Sequence, residues 1–270
     1  MIRALLLGFV AIYLLAPLVV VAGASFGAPE TGGLAISYVE FPPRHLTLAW
    51  YGAITAETYR ALALSVALAA AAAAGACLIG VPAAFGLVRG RLPGRTLIEA
   101  VFRAPLQIPA VVTGIAFLQM FYALSDQTGI ALQSSFAGLW LAHVFLATPF
   151  VIGGVSAVLA RFNPGLEEAA LTLGASRLST FRRITLPMIA PGVATGAIYG
   201  FLVSFVDVPV SLFLSGSGLV PYPVELFSAM QQEFSPAVLA SATLVILLSA
   251  ALLWAVHRVL GLDALLRSQS

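Results

Sequence analysis

Residues 168–187 read EAALTLGASRLSTFRRITLP, a polar stretch in a chain that is 60% hydrophobic and only 9% charged. With the preceding Arg161 it holds four of the thirteen basic residues, the others being Arg177, Arg182 and Arg183. Apolar runs flank it on both sides. Soluble domains carry about 25% charged residues, and a soluble fold at 9% could not coat its surface with polar groups. Most side chains must therefore face lipid or other helices.

Working outward from this stretch, apolar runs, uncharged but for Asp207, occupy 5–24, 61–88, 106–124, 136–160, 189–214 and 237–256. Each is close to the ~20 residues that a helix needs to cross about 30 Å of hydrocarbon. The expectation is an all-α integral membrane protein, a single membrane domain over 1–270 with six transmembrane helices. The first run, preceded by Arg3 and ending in Ala22-Gly23-Ala24, also fits a signal peptide, but it exceeds the usual apolar length of about 7 to 15 residues. It is read as a helix.

Arginine sets the orientation. With the N-terminus inside, Arg3, Arg89, Arg91, Arg95, Arg103, Arg161, Arg177, Arg182, Arg183, Arg258 and Arg267 fall on the inner side, and only Arg44 and Arg60 on the outer. The positive-inside rule then places both termini and the 161–187 loop in the cytoplasm. The outer segments are acidic, with Glu30, Glu40, Glu57, Asp126, Glu225 and Glu233. That charge would attract a cationic ligand, or it reflects only the ordinary scarcity of arginine outside.

Several chemistries are excluded. The chain has no lysine, so it lacks the Walker A loop that cradles nucleotide phosphates. Energy from ATP would have to come from a partner. Cys77 is the single cysteine, which rules out an internal disulfide and argues against a zinc cluster; in its alanine-rich run it reads as a small buried hydrophobe. His45, His143 and His257 are dispersed, and neither H-E-x-x-H nor G-x-S-x-G occurs. An intramembrane hydrolase loses its support. An ion-coupled secondary transporter or a channel fits the composition, although a coupled transporter predicts inverted repeats and several intramembrane charges.

Inside the spans, the small residues of 67–76 suit close helix packing. Pro82, Pro109, Pro149 and Pro209 interrupt others, as is tolerated where neighbours or a watery cavity satisfy the freed backbone. Asp207 is the one acid placed within a span. Charge at mid-membrane costs at least ~2.5 kcal/mol, so Asp207 needs a cavity, a partner or hydration. It reads either as a contact for a cationic substrate, with Ser204, Phe205 and Ser211 nearby, or as a cap on the helix broken by Pro209. His143 reads as packing.

In the loop, Asn163-Pro164 reads as a helix N-cap with proline in the first turn, and Glu167 and Glu168 favour that end of the dipole. Gly174 predicts a left-handed stop. Ser176 offers a second N-cap, with Leu178, Phe181 and Ile184 on one face before Pro187. The result is helix, turn, helix at the inner surface, which by itself could be a connector anchored to anionic lipid through arginine.

The same residues resemble a family motif. Glu168-Ala169-Ala170, Gly174, Ile184 and Leu186-Pro187 match the E-A-A, x3, G, x9, I, x, L-P pattern of the coupling loop in permease subunits of bacterial type I ABC importers. The resemblance implies that family's permease fold and a bacterial inner-membrane location. It implies that the chain is a translocation subunit and not an enzyme. It carries no cofactor of its own, ATP and Mg being bound by a partner ATPase dimer. The other implied partners are a PotB-like second permease subunit and an extracytoplasmic substrate-binding protein. Glu168 would pair with a basic group of the ATPase, Ala169 and Ala170 would allow close docking, and Gly174 would make the turn. Phe41-Pro42-Pro43-Arg44, Leu48-Ala49-Trp50-Tyr51 and Ser204-Phe205-Val206-Asp207-Val208 resemble the polyamine group, PotC-like half. This implies a spermidine- or putrescine-like cargo, with opine, γ-aminobutyrate and phosphonate as alternatives. The relatives often carry two adjacent acids where Val206-Asp207 stands here.

Overall fold

A computed structural model describes residues 2–28, 41–216, 218–232 and 236–260. Glu30, Glu40, Glu233 and Arg267 lie outside them. Helices run in the order α1 Ile2–Ala24, α2 Ala49–Gly52, α3 Ala56–Arg89, α4 Arg95–Arg103, α5 Ala110–Thr128, α6 Phe136–Leu159, α7 Gly165–Thr172, α8 Arg177–Thr180, α9 Leu186–Phe205, α10 Pro209–Leu214, α11 Tyr222–Gln232 and α12 Pro236–Leu260. No strand longer than an isolated bridge occurs among the described residues. The chain is all-α.

Leu5–Ala24, Ala56–Arg89, Phe136–Leu159 and Arg177–Phe205 are each long and apolar enough to cross a membrane. A fifth crossing arises if Arg95–Leu106 and Ala110–Thr128, bent by 98° at their junction, count as one span. The run expected at 106–124 is therefore shifted: Pro109 cannot continue a helix from the preceding turn, and α5 starts at Ala110. α12 covers the run expected at 237–256; its apolar stretch among the described residues is Pro236–Ala251. The run expected at 189–214 is broken over 206–208, between α9 and α10.

The chain divides into two units, Met1–Arg60 with Glu225–Ser270, and Ala61–Val224. In the first, α1 packs with α12, and the α1 exit is tied down by aromatics. Trp50 Nε1 donates to the Gly27 carbonyl at 2.7 Å, the Tyr51 hydroxyl lies 2.8 Å from Ser25 Oγ, and Phe26 packs tilted against the Tyr51 ring. The last carbonyls of α1 are taken up locally: Val21, Gly23 and Ala24 accept from the Ser25, Phe26 and Gly27 amides, and Ala22 from Ser25 Oγ.

The second unit is built on backbone contact between helices. On α3, Ala61, Ser65, Leu68, Ala72, Ala76, Gly80, Ala84 and Leu87 recur at helical spacing and are buried. A methyl group on Gly75 would lie 2.7 Å from Val144 of α6, and one on Gly80 would lie 2.9 Å from Val151. The α6–α9 pair is closer still. A methyl on Gly192 would stand 2.6 Å from the Gly154 carbonyl oxygen, one on Gly196 2.5 Å from Val151 Cα, and one on Gly200 3.1 Å from Ala147 Cβ. Glycine at every fourth position of α9 lets the two backbones touch, the device that substitutes for hydrophobic drive inside lipid. Ala76, Ala84, Ala147, Val151, Val155, Leu159 and Ile189 form one buried core cluster, which includes seam residues. Leu68, Phe121, Leu139, Ala142, Leu146, Val210 and Leu214 form a second.

Candidate coupling loop and intramembrane polar cluster

Local chemistry folds the 163–187 loop. Asn163 Oδ1 accepts from the Gly165 amide at 2.9 Å, capping α7. α7 ends in a Schellman arrangement. The Ala175 amide donates to the Ala170 carbonyl, the Gly174 amide donates to Leu171, and Gly174 sits at φ +87°, a conformation that costs a side chain energy. Ser176 Oγ then accepts from the Ser179 amide and starts α8. The expected second short helix does not stop before Pro187. α8 passes through a π turn at Phe181–Thr185 directly into α9, making one helical stretch, Arg177–Phe205. Pro187 has no N–H and its ring would meet the carbonyl four residues back, so the wider i→i+5 turn, in which the Leu186 amide reaches Phe181, absorbs it.

The outward face is apolar. Leu173 is 88% exposed and Leu178 58%, beside exposed Glu168, Ala169, Gly174, Leu186 and Pro187. Ala170 and Ile184 are partly covered. The neighbouring acid faces the other way. Both carboxylate oxygens of Glu167 accept from Arg89 Nη1, at 2.8 and 3.0 Å, and Thr185 Oγ1 donates to Oε1. The Arg89 guanidinium is held over the rings of Phe85 and Phe162, at 5.2 and 5.0 Å. Glu167 has no place in the sequence motif. Adjacent helical residues differ by about 100° in direction, so Glu167 and Glu168 cannot share a role.

The second cluster lies at the α9–α10 break. His143, on the buried face of α6, places Nδ1 2.7 Å from Ser204 Oγ and Nε2 3.1 Å from Ser211 Oγ. Asp207 Oδ2 lies 4.0 Å from Nε2 and accepts from the Ser211 amide at 2.8 Å. The last bond caps α10, whose first turn follows Pro209. Ser204, Ser211 and Asp207 thus meet as the sequence places them, but around a histidine read there as packing. Phe205 is buried and stacks on Phe201 at 5.8 Å. His143 has no exposed surface, Ser211 none, Ser204 4% and Asp207 8%. A buried acid is costly unless it is bonded, and Asp207 Oδ2 has the Ser211 amide as its donor. What signals His143 in the sequence is an isolated polar residue in register with the core positions Leu139, Ala142 and Leu146.

Comparison with known proteins follows the same lines. Residues 76–261 match the family model described as the inner membrane component of binding-protein-dependent transport systems. The chain is 35% identical over 245 residues to the putrescine transport system permease protein PotI of Escherichia coli strain K12, covering 90% of this chain and 84% of that protein. It is 31% identical to the spermidine/putrescine transport system permease protein PotC of the same strain, covering 88% of this chain and 85% of that one. In fold it is similar to a chain in the crystal structure of a bacterial ABC transporter involved in import of the acidic polysaccharide alginate. That match has a TM-score of 0.69 at 18% identity, covering 95% of this chain and 94% of the other.

Proposed function

The chain belongs to the family of inner membrane components of binding-protein-dependent transport systems, and from that premise we propose that it moves a polyamine-like cation inward. Membership makes it a multi-pass permease subunit of an ATP-driven importer and not an enzyme, working with a separate ATPase and a binding protein. The cargo assignment rests on one observation: the relatives that align over nearly nine tenths of the chain are permeases for putrescine and spermidine. Fold does not fix cargo, because the same architecture serves an importer of an acidic polysaccharide. An acid at the helix break suits a cation better than an opine, a phosphonate or a sugar acid. Asp207 is the proposed contact, with Ser204, Ser211 and Phe205 shaping the break.

Further parts of this reading follow from residues. Both termini and the coupling loop face the cytoplasm, as the arginine distribution favours. Exposed Glu168, Ala169 and Leu173 with the Gly174 turn form the surface on which the ATPase docks, and ATP and Mg stay on that partner. A PotB-like second permease subunit completes the path. ATP-driven closure of the ATPases shifts the loop and turns the path past Asp207 outward; release returns it inward.

The test is uptake of labelled putrescine by proteoliposomes holding the permease pair, ATPase and binding protein. Competition by spermidine but not by phosphonates or opines is expected. Failure to take up putrescine while one of those anions is imported would overturn the cargo.

A further inference from the structure

Two acids adjacent in sequence point apart on α7, and only Glu168 is free to meet a partner. Glu167 is spent inside the chain on a contact that gathers three separate elements. Arg89 is the last residue of α3, Glu167 lies in the first turn of α7, and Thr185 closes the π turn that opens into α9. The side chains of Arg89 and Glu167 are 32% and 20% exposed, and Thr185 is buried to 1%. The clamp extends further through its aromatic walls. Phe162, just past the end of α6, lies under the Arg89 guanidinium, and Phe85, on its other side, packs against Phe181 of the π turn at 5.9 Å.

Without this contact α7 is held by its chain ends, Asn163-Pro164 on one side and the Gly174 turn on the other, and by its packing on α8 and the π turn. Chain ends transmit a pull along the backbone to α6 and α9 but give α3 nothing. We propose that Arg89, Glu167 and Thr185 are positioning residues that fasten the docking helix to α3, α6 and α9 at once, so that displacement of α7 becomes movement of the spans. Deleting the clamp leaves the outward docking face intact and lets α7 shift without carrying α3 along. ATP turnover continues while transport falls, which is slippage rather than loss of assembly.

This rests on the reading that α7 docks on the ATPase, and the experiment separates the two. The full complex, reconstituted in proteoliposomes, is measured for copurified ATPase, ATP hydrolysis and cargo moved per ATP. Glu167→Gln is expected to retain the ATPase and its hydrolysis while cargo per ATP drops about fivefold, the scale of a modest coupling change. Thr185→Val, which removes one hydrogen bond and keeps the ion pair, should lower the ratio less. The exchange Arg89→Glu with Glu167→Arg restores the ion pair and should recover part of the lost ratio at unchanged hydrolysis. An unchanged cargo-to-ATP ratio in Glu167→Gln overturns the proposal, and so does loss of the bound ATPase, which would make Glu167 a docking residue. If Glu167→Gln fails to accumulate, Thr185→Val carries the test, and an unchanged ratio there is equally fatal. Leu173→Asp probes docking separately: an ATPase still bound to that variant would sink the docking reading while leaving the Glu167 ratio to be judged by itself.

Discussion

Replacing Gly192 with alanine adds a single methyl group where α9 meets α6. The added carbon would lie 2.6 Å from the Gly154 carbonyl oxygen and 2.9 Å from Val158 Cγ2, and no flexible side-chain end can simply swing out of the way of a backbone carbonyl. Relief requires the two helices to separate by several tenths of an ångström along a seam where Gly154, Gly192 and Gly196 all sit in contact. Such overpacking costs about 1–3 kcal/mol, against a helix-propensity gain for alanine over glycine of at most ~1 kcal/mol. The net is destabilisation of up to about 2 kcal/mol. At roughly 2–4 °C per kcal/mol for a domain of this size, the purified complex should lose several degrees of thermal midpoint. Gly153→Ala is the control, since nothing stands within 4 Å of that added carbon; it should be neutral or slightly stabilising. A thermal-shift or size-exclusion melting series on both variants decides. If Gly192→Ala melts at or above the parent temperature, alongside Gly153→Ala, the close-contact account of the α6–α9 seam is wrong.

Gly174→Ala forces a side chain into φ +87° and should cost about 1 kcal/mol locally; coupled transport should fall with little change in the amount of protein inserted, as measured by uptake normalised to membrane content. Ser176→Ala removes the acceptor for the Ser179 amide and should cost about 1 kcal/mol at the start of α8, read as faster proteolysis near Arg177. His143→Leu leaves Ser204 and Ser211 without their buried partner, at about 1–3 kcal/mol for each stranded group; a lower melting midpoint than in His143→Gln, which can still bond one hydroxyl, is expected. Asp207→Asn keeps an acceptor for the Ser211 amide but loses the charge, so putrescine uptake should show a raised KM with little loss of stability; unchanged KM and rate would count against the cargo contact.

How much of this was legible before any coordinates depends on whether the deciding interaction is local. Asn163, Gly174 and Ser176 act on backbone within a few residues, and the loop formed as their chemistry implies. Arg177 to Phe205 became one helix because a π turn absorbed Pro187, an outcome that no propensity distinguishes from a break. The roles of Glu167 and Glu168 separated only once α7 had a fixed rotation against α3, which is tertiary information. His143 was visible as an isolated polar residue, but its partners lie 61 and 68 residues away in sequence. The glycines at 192, 196 and 200 stand at an evident spacing, yet spacing does not name the opposing helix. Pro109 and Pro209 marked the places where apolar runs bend or break, and in both cases the helix resumed within one residue of the proline.

The unbroken stretch from Arg177 to Phe205 has 29 residues, about 44 Å at 1.5 Å per residue. It is meshed with α6 through bare backbone at Gly192, Gly196 and Gly200. The first non-helical residues beyond the loop are 206–208, with Asp207 at their centre. On the proposed docking of α7, displacement at the Arg177 end would first meet a break in the helix beside Asp207. If Asp207 contacts cargo as proposed, the break in this long helix falls where the carried molecule would be gripped and let go.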